Sequence, residues 1–211
     1  MQRIKAILFD LDGVIVDSKE HVVKVFQQVF TMFGFEKPPR KDIERLWASG
    51  SRNIIRELLP KEKRSEGLIR QMSLETSRIS IETIGDMKIG GGVPGLLERL
   101  GKRYRLGLVT NRGRSTPAVL RHFGIKFDVV ITSADCDNIK PHPEPILKAL
   151  KALNVDKESA VYVGDNGVDL EAGRAAGVFT IILGDAVKGD ANIRRIEEVA
   201  EVIAKIEEGK Y

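Results

Sequence analysis

The feature that most constrains the fold is a series of short apolar runs, each ending abruptly at a polar or glycine residue. Five of these runs are candidate strands, at residues 4–9, 105–110, 129–132, 160–163 and 179–183. Helical patterns link the later runs at 114–123, 143–153 and 167–176. Links of this length suit right-handed crossovers between parallel strands. Because fully apolar strands are typical of parallel sheets covered on both faces, the sequence predicts an α/β fold with a Rossmann-like parallel sheet.

The link between the first two runs, residues 10–104, is much longer than one crossover helix requires. Apolar residues recur in it at helical spacing, namely Val22, Val25, Phe26, Val29, Phe30 and Phe33. Further helical patterns follow at 41–48, 52–59 and 63–83. We therefore predict an all-helical cap domain at residues 16–88, inserted into an α/β core domain formed by residues 1–15 and 89–211.

Polar side chains follow four of the predicted strands. They are Asp10 and Asp12 after the first, Thr110 and Asn111 at the second, Lys140 after the third and Asp165 after the fourth. In a doubly wound parallel sheet, ligands bind at the carboxyl ends of the strands. The sequence therefore predicts one site that combines three acids, an ammonium group, a hydroxyl and an amide.

Three carboxylates in one partly buried site would repel one another unless a cation neutralised them. Oxygen ligands without a His or Cys cluster favour Mg²⁺, with Asp10, Asp12 and Asp165 as its ligands. The metal would also screen a phosphate, so that the carboxylate of Asp10 could attack phosphorus as a nucleophile. Asp12 would then act as general acid and base, and donors from Thr110, Asn111 and Lys140 would hold the phosphoryl oxygens.

The run Phe9-Asp10-Leu11-Asp12-Gly13-Val14-Ile15-Val16-Asp17-Ser18 resembles the signature of the haloacid dehalogenase superfamily of phosphohydrolases. Three further motifs of that family resemble segments found here in the same order: Thr110-Asn111, Lys140-Pro141-His142-Pro143-Glu144-Pro145 and Gly164-Asp165-Asn166-Gly167-Val168-Asp169. The likeness includes a helical cap of the phosphoglycolate phosphatase and β-phosphoglucomutase type. A single Asp-x-Asp motif is common by chance, whereas four motifs in order are specific.

The resemblance implies a Mg²⁺-dependent phosphatase that acts on small phosphorylated metabolites through a phospho-aspartate intermediate. By this resemblance Asp10 is the nucleophile and a metal ligand, and Asp12 is the acid/base and binds the metal through its backbone carbonyl. Asp165 completes the metal site. Asp169 lies one helical turn further on, where it would brace Asp165 or Lys140 from behind.

Other functions stay open within and outside this resemblance. Dehalogenases lack the second acid of the first motif, which Asp12 supplies here. Sugar-phosphate mutases of the β-phosphoglucomutase type carry a cap histidine five positions after the residue matching Asp17; this chain has Val22 there and His21 one place earlier, which favours hydrolysis. A phospho-accepting signalling module has its aspartate on a later strand and no cap, and a silent binding protein would not need every motif residue.

Bulk composition limits the partners. The net charge of +4 is spread along the chain and no basic run contains interleaved aromatic residues, so we expect no nucleic-acid partner. No apolar run approaches the length of about 18 residues that a membrane span needs, and the run at 4–9 is too short for a secretion signal. The single Cys136 cannot form an internal disulfide. We expect a cytoplasmic monomer or homodimer.

Overall fold

The computed structural model describes residues 3–211 and confirms the predicted α/β class. The strands within this range are β1 (Ala6–Phe9), β2 (Val16–Asp17), β3 (Lys88–Ile89), β4 (Arg105–Val109), β5 (Val129–Ile131), β6 (Ala160–Gly164), β7 (Phe179–Leu183) and β8 (Ala191–Ile193). The α-helices are α1 (Lys19–Met32), α2 (Arg40–Leu46), α3 (Ser51–Leu58), α4 (Glu66–Glu82), α5 (Val93–Gly101), α6 (Thr116–Phe123), α7 (Glu144–Leu153), α8 (Gly167–Ala176) and α9 (Val199–Glu207). No helix within residues 3–211 combines the length and the apolar character that a membrane crossing requires.

Six strands form one parallel sheet in the order β5-β4-β1-β6-β7-β8. The five predicted apolar runs are the first five of these strands along the chain. The sixth, β8, was not predicted, because its three residues alternate between buried and exposed and include the polar Asn192. It therefore has no apolar run to mark it.

The central strand β1 is buried on both faces, and its side chains alternate between two cores. Ile7 and Phe9 pack into a core with α5 and α9, whereas Ala6 and Leu8 pack into a core with α7 and α8. Replacing a fully buried leucine such as Leu8 by alanine typically costs about 2–5 kcal/mol. These two layers of helices fix the sheet and hold the carboxyl end of β1 in place.

The inserted segment has a separate core made by α1 to α4. Its fully buried residues include Val29, Phe30, Ile43, Ile55 and Met72. The chain leaves the sheet through β2 and returns through β3, and these two short strands pair antiparallel, with Val16 opposite Ile89. A helical cap beside a Rossmann-like core is thus confirmed as the architecture, while the boundaries drawn at 15/16 and 88/89 stay a prediction.

The strand order places the site. After β1 the chain forms β4 and β5 on one side, and then crosses back to form β6 on the other side of β1. This reversal makes β1 the topological switch point, where a crevice opens at the carboxyl ends of the strands. The ends of β4, β1 and β6 are neighbours there.

Candidate active site

The structure brings the predicted site residues to this crevice. Asp10 directly follows β1, Thr110 directly follows β4 and Asp165 directly follows β6. The backbone N–H of Asp10 donates to the carbonyl of Val163, and that of Thr110 donates to the carbonyl of Ile131. These bonds continue the hydrogen-bond ladder of the sheet past the last strand residues. The backbone that carries the functional side chains is therefore held rigidly.

Lys140 reaches the same point from the loop before α7. Its ammonium nitrogen lies 2.9 Å from Oδ1 of Asp10 and 2.7 Å from Oδ1 of Asp169, and it donates to the hydroxyl of Tyr162 at 2.8 Å. The side chain is almost entirely buried. Burial favours the neutral amine, but the two carboxylates outweigh it and raise the pKa of Lys140 above its ordinary value. The site therefore keeps a fixed positive charge.

Asp169 is fully buried and both of its oxygens are occupied. Oδ1 accepts from Lys140 and from the Tyr162 hydroxyl at 2.6 Å. Oδ2 accepts from the backbone N–H of Asp165 at 3.2 Å and from the amide of Asn166 at 2.8 Å. With these bonds Asp169 contacts both Lys140 and the backbone of Asp165, and its bracing role in the site stays a prediction.

Oxygens of Asp10, Asp165 and Asp169 lie within 4.8 Å of one another, and two further observations show that this group carries excess negative charge. Among the described residues, Oδ1 of Asp10 is one of two buried side-chain polar atoms that lack a well-formed hydrogen bond, and its contact is the ion pair with Lys140. Burial, followed by repulsion from Asp169, raises the pKa of Asp165 to about 7, and burial also raises the pKa of Asp10 far above its usual range despite Lys140. A hard divalent cation fits such an all-oxygen group.

The Asp12 carboxylate is not part of this group. Nε and one terminal nitrogen of Arg112 donate to its two oxygens at 3.0 and 2.6 Å, and the hydroxyl of Ser18 donates to it as well. Burial raises the pKa of Asp12, but the ion pair with Arg112 outweighs burial and the pKa lies below its ordinary value. The predicted metal contact of Asp12 involves its backbone carbonyl, and it stays a prediction.

Asn111 and Thr110 order the loops rather than simply facing solvent. The Asn111 amide donates to the carbonyls of Lys140 and Ala48 at 2.9 and 2.8 Å, and its oxygen accepts from the backbone N–H of Lys140 at 3.0 Å. The Thr110 hydroxyl accepts from the backbone N–H of Arg112. Since Ala48 belongs to the inserted segment, Asn111 ties the core to the cap.

The loop after Asp12 has room for Asp165 only because residue 13 is glycine. Gly13 has a φ of +88°, and a Cβ atom there would lie 2.1 Å from Oδ2 of Asp165. A side chain would be disfavoured by the backbone and would displace the acid. The glycine thus permits the close approach of the first and fourth motifs.

Sequence reasoning missed several residues that this geometry makes prominent: Ser18, His21, Ser80, Arg112, Tyr162 and Asn166. Arg112 directly follows Thr110-Asn111, so its position beside the second motif was a usable signal. Tyr162 lies within the apolar run of β6, where an aromatic side chain suggests packing alone. His21 and Ser80 come from distant parts of the inserted segment, and only the folded chain shows that they adjoin the site.

The inserted segment covers the crevice and leaves a partly open cavity of about 80 Å³ between the two parts of the chain. Asp10, Asp12, Thr110, Asn111 and Arg112 line the core side. The cap side is lined by residues of α1, α3 and α4 together with the turn between α2 and α3. A small molecule in this cavity would contact both parts of the protein.

Comparison with known proteins gives a consistent result. The sequence profile of haloacid dehalogenase-like hydrolases matches residues 7–183. Pyrophosphatase PpaX of Halalkalibacterium halodurans is 30% identical over 198 residues, which cover 92% of this chain and 90% of that protein. β-Phosphoglucomutase from Clostridium difficile superposes with a TM-score of 0.86 at 25% identity and 98% coverage of both chains. A HAD-superfamily hydrolase of subfamily IA from Geobacter sulfurreducens superposes with a TM-score of 0.73 at 29% identity, covering 95% of this chain and 96% of that one.

Proposed function

Because this chain belongs to the haloacid dehalogenase-like hydrolases and is a phosphatase of that family, we propose that it hydrolyses phosphate monoesters of small metabolites through a phospho-aspartate intermediate. The observation that carries this proposal is the convergence of Asp10, Lys140 and Asp165 at the carboxyl end of β1, β4 and β6. These three groups supply a nucleophile, a fixed cation and a second acid at one point.

Asp10 is the proposed nucleophile. Its carboxylate lies at the base of the cavity, held by the sheet and flanked by Lys140. Apart from this ion pair with Lys140 at 2.9 Å, its Oδ1 has no hydrogen-bond partner among the described residues. Attack forms the bond between the Asp10 carboxylate and phosphorus and breaks the bond to the leaving oxygen.

Asp12 is the proposed general acid and base. To act as the acid it would first have to take up a proton against the lowering of its pKa by Arg112, and would then pass that proton to the leaving oxygen. In the second step the carboxylate would remove a proton from the water that hydrolyses the phospho-aspartate. Arg112 and Ser18 fix the orientation of its carboxylate. Thr110, Asn111 and Lys140 are the proposed phosphate-binding residues, with Lys140 contributing its positive charge toward the phosphoryl oxygens.

Mg²⁺ is the proposed cofactor, and Asp10, Asp165 and the backbone carbonyl of Asp12 are the groups that would hold it. When bound, it would neutralise the carboxylates and the phosphate during the transfer. The chain's contribution is to keep Asp165 in place through Asp169 and Asn166.

A sugar-phosphate mutase is the alternative reaction, since the superposable β-phosphoglucomutase has the same architecture. A mutase must return the phosphoryl group to a sugar intermediate rather than to water. Val22 stands where that type carries its cap histidine, and His21 beside it bonds to Thr83 within the cap. The valine at position 22 favours hydrolysis. The name of the PpaX relatives makes pyrophosphate a further substrate to test.

The test is hydrolysis by the purified protein with Mg²⁺. We expect release of phosphate from an aryl phosphate, loss of activity with a chelator, and loss of activity in Asp10→Asn. Activity that survives this substitution would exclude Asp10 as nucleophile. Conversion of glucose 1-phosphate into its isomer faster than phosphate release would favour the mutase.

A cytoplasmic location and a monomeric or dimeric state are also proposed. Analytical ultracentrifugation would establish the oligomeric state.

A further inference from the structure

A buried tyrosine hydroxyl contacts the ammonium group of Lys140. Tyr162 is the third residue of β6, and its ring is fully buried in the core that the sheet forms with α7 and α8. In the sheet it lies between Leu8 of β1 and Thr180 of β7. Because the core is closely packed and both neighbouring strands are paired to β6, the position of the hydroxyl is fixed.

The hydrogen bonds of this hydroxyl have one possible direction. An ammonium group has hydrogens to donate and no lone pair, so the Tyr162 oxygen can only accept from Lys140, 2.8 Å away. The phenolic hydrogen is donated to Oδ1 of Asp169 at 2.6 Å. Burial, followed by repulsion from Asp169, raises the pKa of Tyr162 well above its ordinary value, so the phenol keeps this hydrogen.

The ammonium group of Lys140 has three hydrogens and three oxygens around it. Asp169 accepts a hydrogen bond at 2.7 Å and Tyr162 accepts another at 2.8 Å. Oδ1 of Asp10 lies 2.9 Å away, in an ion pair without a well-formed hydrogen bond. Of these three acceptors, Asp10 is the one that belongs to the described lining of the cavity. The two hydrogen bonds away from the cavity therefore leave the third hydrogen for the side on which Asp10 lies.

We propose that Tyr162 is a positioning residue for phosphoryl transfer, because it occupies one hydrogen of Lys140 and so directs the remaining one toward the phosphoryl group on Asp10. The inference rests on the proposed function and assigns a further residue to it. Without the hydroxyl, three hydrogens would share two carboxylates. The ammonium group would then turn, and Asp10 would take up a hydrogen that a phosphoryl oxygen should receive. A donor that points away from the transferring group raises the barrier more than it weakens substrate binding.

Tyr162→Phe tests this role, since it removes the hydroxyl and keeps the ring. With Mg²⁺ and an aryl phosphate, we expect kcat to fall about tenfold, the effect of one misdirected hydrogen bond, and KM to change less than about threefold. Orthovanadate takes the geometry of a phosphoryl group in transfer. Its affinity, measured by calorimetry in Mg²⁺, should fall by about the same factor as kcat/KM.

Thr180→Val is the matched control for lost stability. Thr180 is fully buried on β7 opposite Tyr162, and its hydroxyl donates to the carbonyl of Val178. The variant also loses a buried hydrogen bond and should be less stable, but its kcat and its vanadate affinity should stay within about twofold of the wild type. Circular dichroism and urea denaturation establish that each variant is folded under the assay conditions. Tyr162→Met, with a flexible side chain that fills irregular gaps, replaces the Phe variant if that one does not fold, and the same losses are expected.

A second route from Tyr162 to the chemistry runs through the proposed metal site. Asp169 accepts from the Tyr162 hydroxyl and also from the backbone N–H of Asp165. The Mg²⁺ concentration that gives half-maximal activity separates the two routes. It should stay within about twofold of the wild-type value if Tyr162 acts through Lys140, and it should rise if Tyr162 acts through Asp165.

The outcomes distinguish the positioning role from the proposed function. If the wild type hydrolyses an aryl phosphate and Tyr162→Phe retains its kcat, or if Thr180→Val loses as much, the positioning role is overturned and the phosphatase assignment stands. A higher Mg²⁺ requirement with unchanged vanadate affinity at saturating Mg²⁺ also overturns it. If the wild type hydrolyses no ester, the proposed function fails and the inference fails with it.

Discussion

Replacing the proposed nucleophile should stabilise the metal-free protein while it abolishes activity. Asp10 is buried, and at an effective dielectric constant of about 20 its ion pair with Lys140 at 2.9 Å contributes about 6 kcal/mol of attraction. Asp165 and Asp169, with oxygens within 4.8 Å, each contribute at least about 3.5 kcal/mol of repulsion. The repulsions together exceed the attraction by about 1 kcal/mol, before the cost of desolvating the carboxylate is added.

Asp10→Asn keeps the shape of the side chain, removes its charge and leaves Lys140 paired with Asp169. We therefore expect the free energy of unfolding in EDTA at pH 8 to rise by about 1–3 kcal/mol. The raised pKa sets the pH dependence. Below the ordinary value of 3.8 both forms of residue 10 are neutral, so the advantage of the Asn variant should appear as pH rises above that value and level off above the folded-state pKa.

Urea denaturation in EDTA at several pH values measures this difference. Asp185→Asn, at an exposed acid, is the matched control and should change stability by less than about 0.5 kcal/mol. Added Mg²⁺ should stabilise the wild type more than the Asn variant, because the variant lacks one of the proposed ligands. A variant that is less stable than the wild type in EDTA at pH 8 would refute the charge argument.

Three further substitutions test other parts of the site. The Asp12→Asn variant should release about one equivalent of phenol from an aryl phosphate in a burst and then turn over slowly. A phenol is a good leaving group and needs little help from an acid, whereas hydrolysis of the phospho-aspartate still needs the base. Steady release at the wild-type rate in a stopped-flow assay would contradict this role. Tyr162→Phe removes a hydroxyl that bonds to Lys140 and Asp169, and should lower the urea-derived free energy of unfolding by about 1–3 kcal/mol. Gly13→Ala should lower Mg²⁺-dependent phosphatase activity at least about tenfold, because the new methyl group would occupy the position of the Asp165 carboxylate; unchanged kcat and Mg²⁺ affinity would show that the loop can move aside.

The sheet was predictable because its strands are buried on both faces and therefore read as uninterrupted apolar runs. The length of the segment between the first two runs predicted the insertion, since one crossover helix could not occupy it. Strand β8 escaped this reasoning because an edge strand of three residues has no such run. The antiparallel pair of β2 and β3 is also too short to leave a pattern in the sequence.

The site was predictable where polar and charged residues directly follow the strands. It was less predictable where the position of a side chain depends on packing. Asp10, Lys140 and Asp165 could be grouped because carboxyl ends of parallel strands share one edge. Nothing in the sequence indicates that Asp12 faces Arg112 rather than the acid cluster, because the direction of its side chain is set by the turn at Gly13. The buried ring of His21 contacts Thr83, which lies 62 positions away. Such contacts follow from how the cap packs, and no local pattern encodes that packing.

The contacts between cap and core also explain how a cap whose described cavity-lining residues are uncharged can still influence the chemistry. Arg112 holds Asp12 with one side of its guanidinium and Ser80 of α4 with the other. Asn111 holds the loop of Lys140 and, through the carbonyl of Ala48, the turn before α3. Displacing the cap would remove one partner from each residue and free the Arg112 side chain to move with its carboxylate. The cap therefore supplies one of the contacts that orient the proposed acid/base, together with Ser115 of the core, and it covers one side of the cavity.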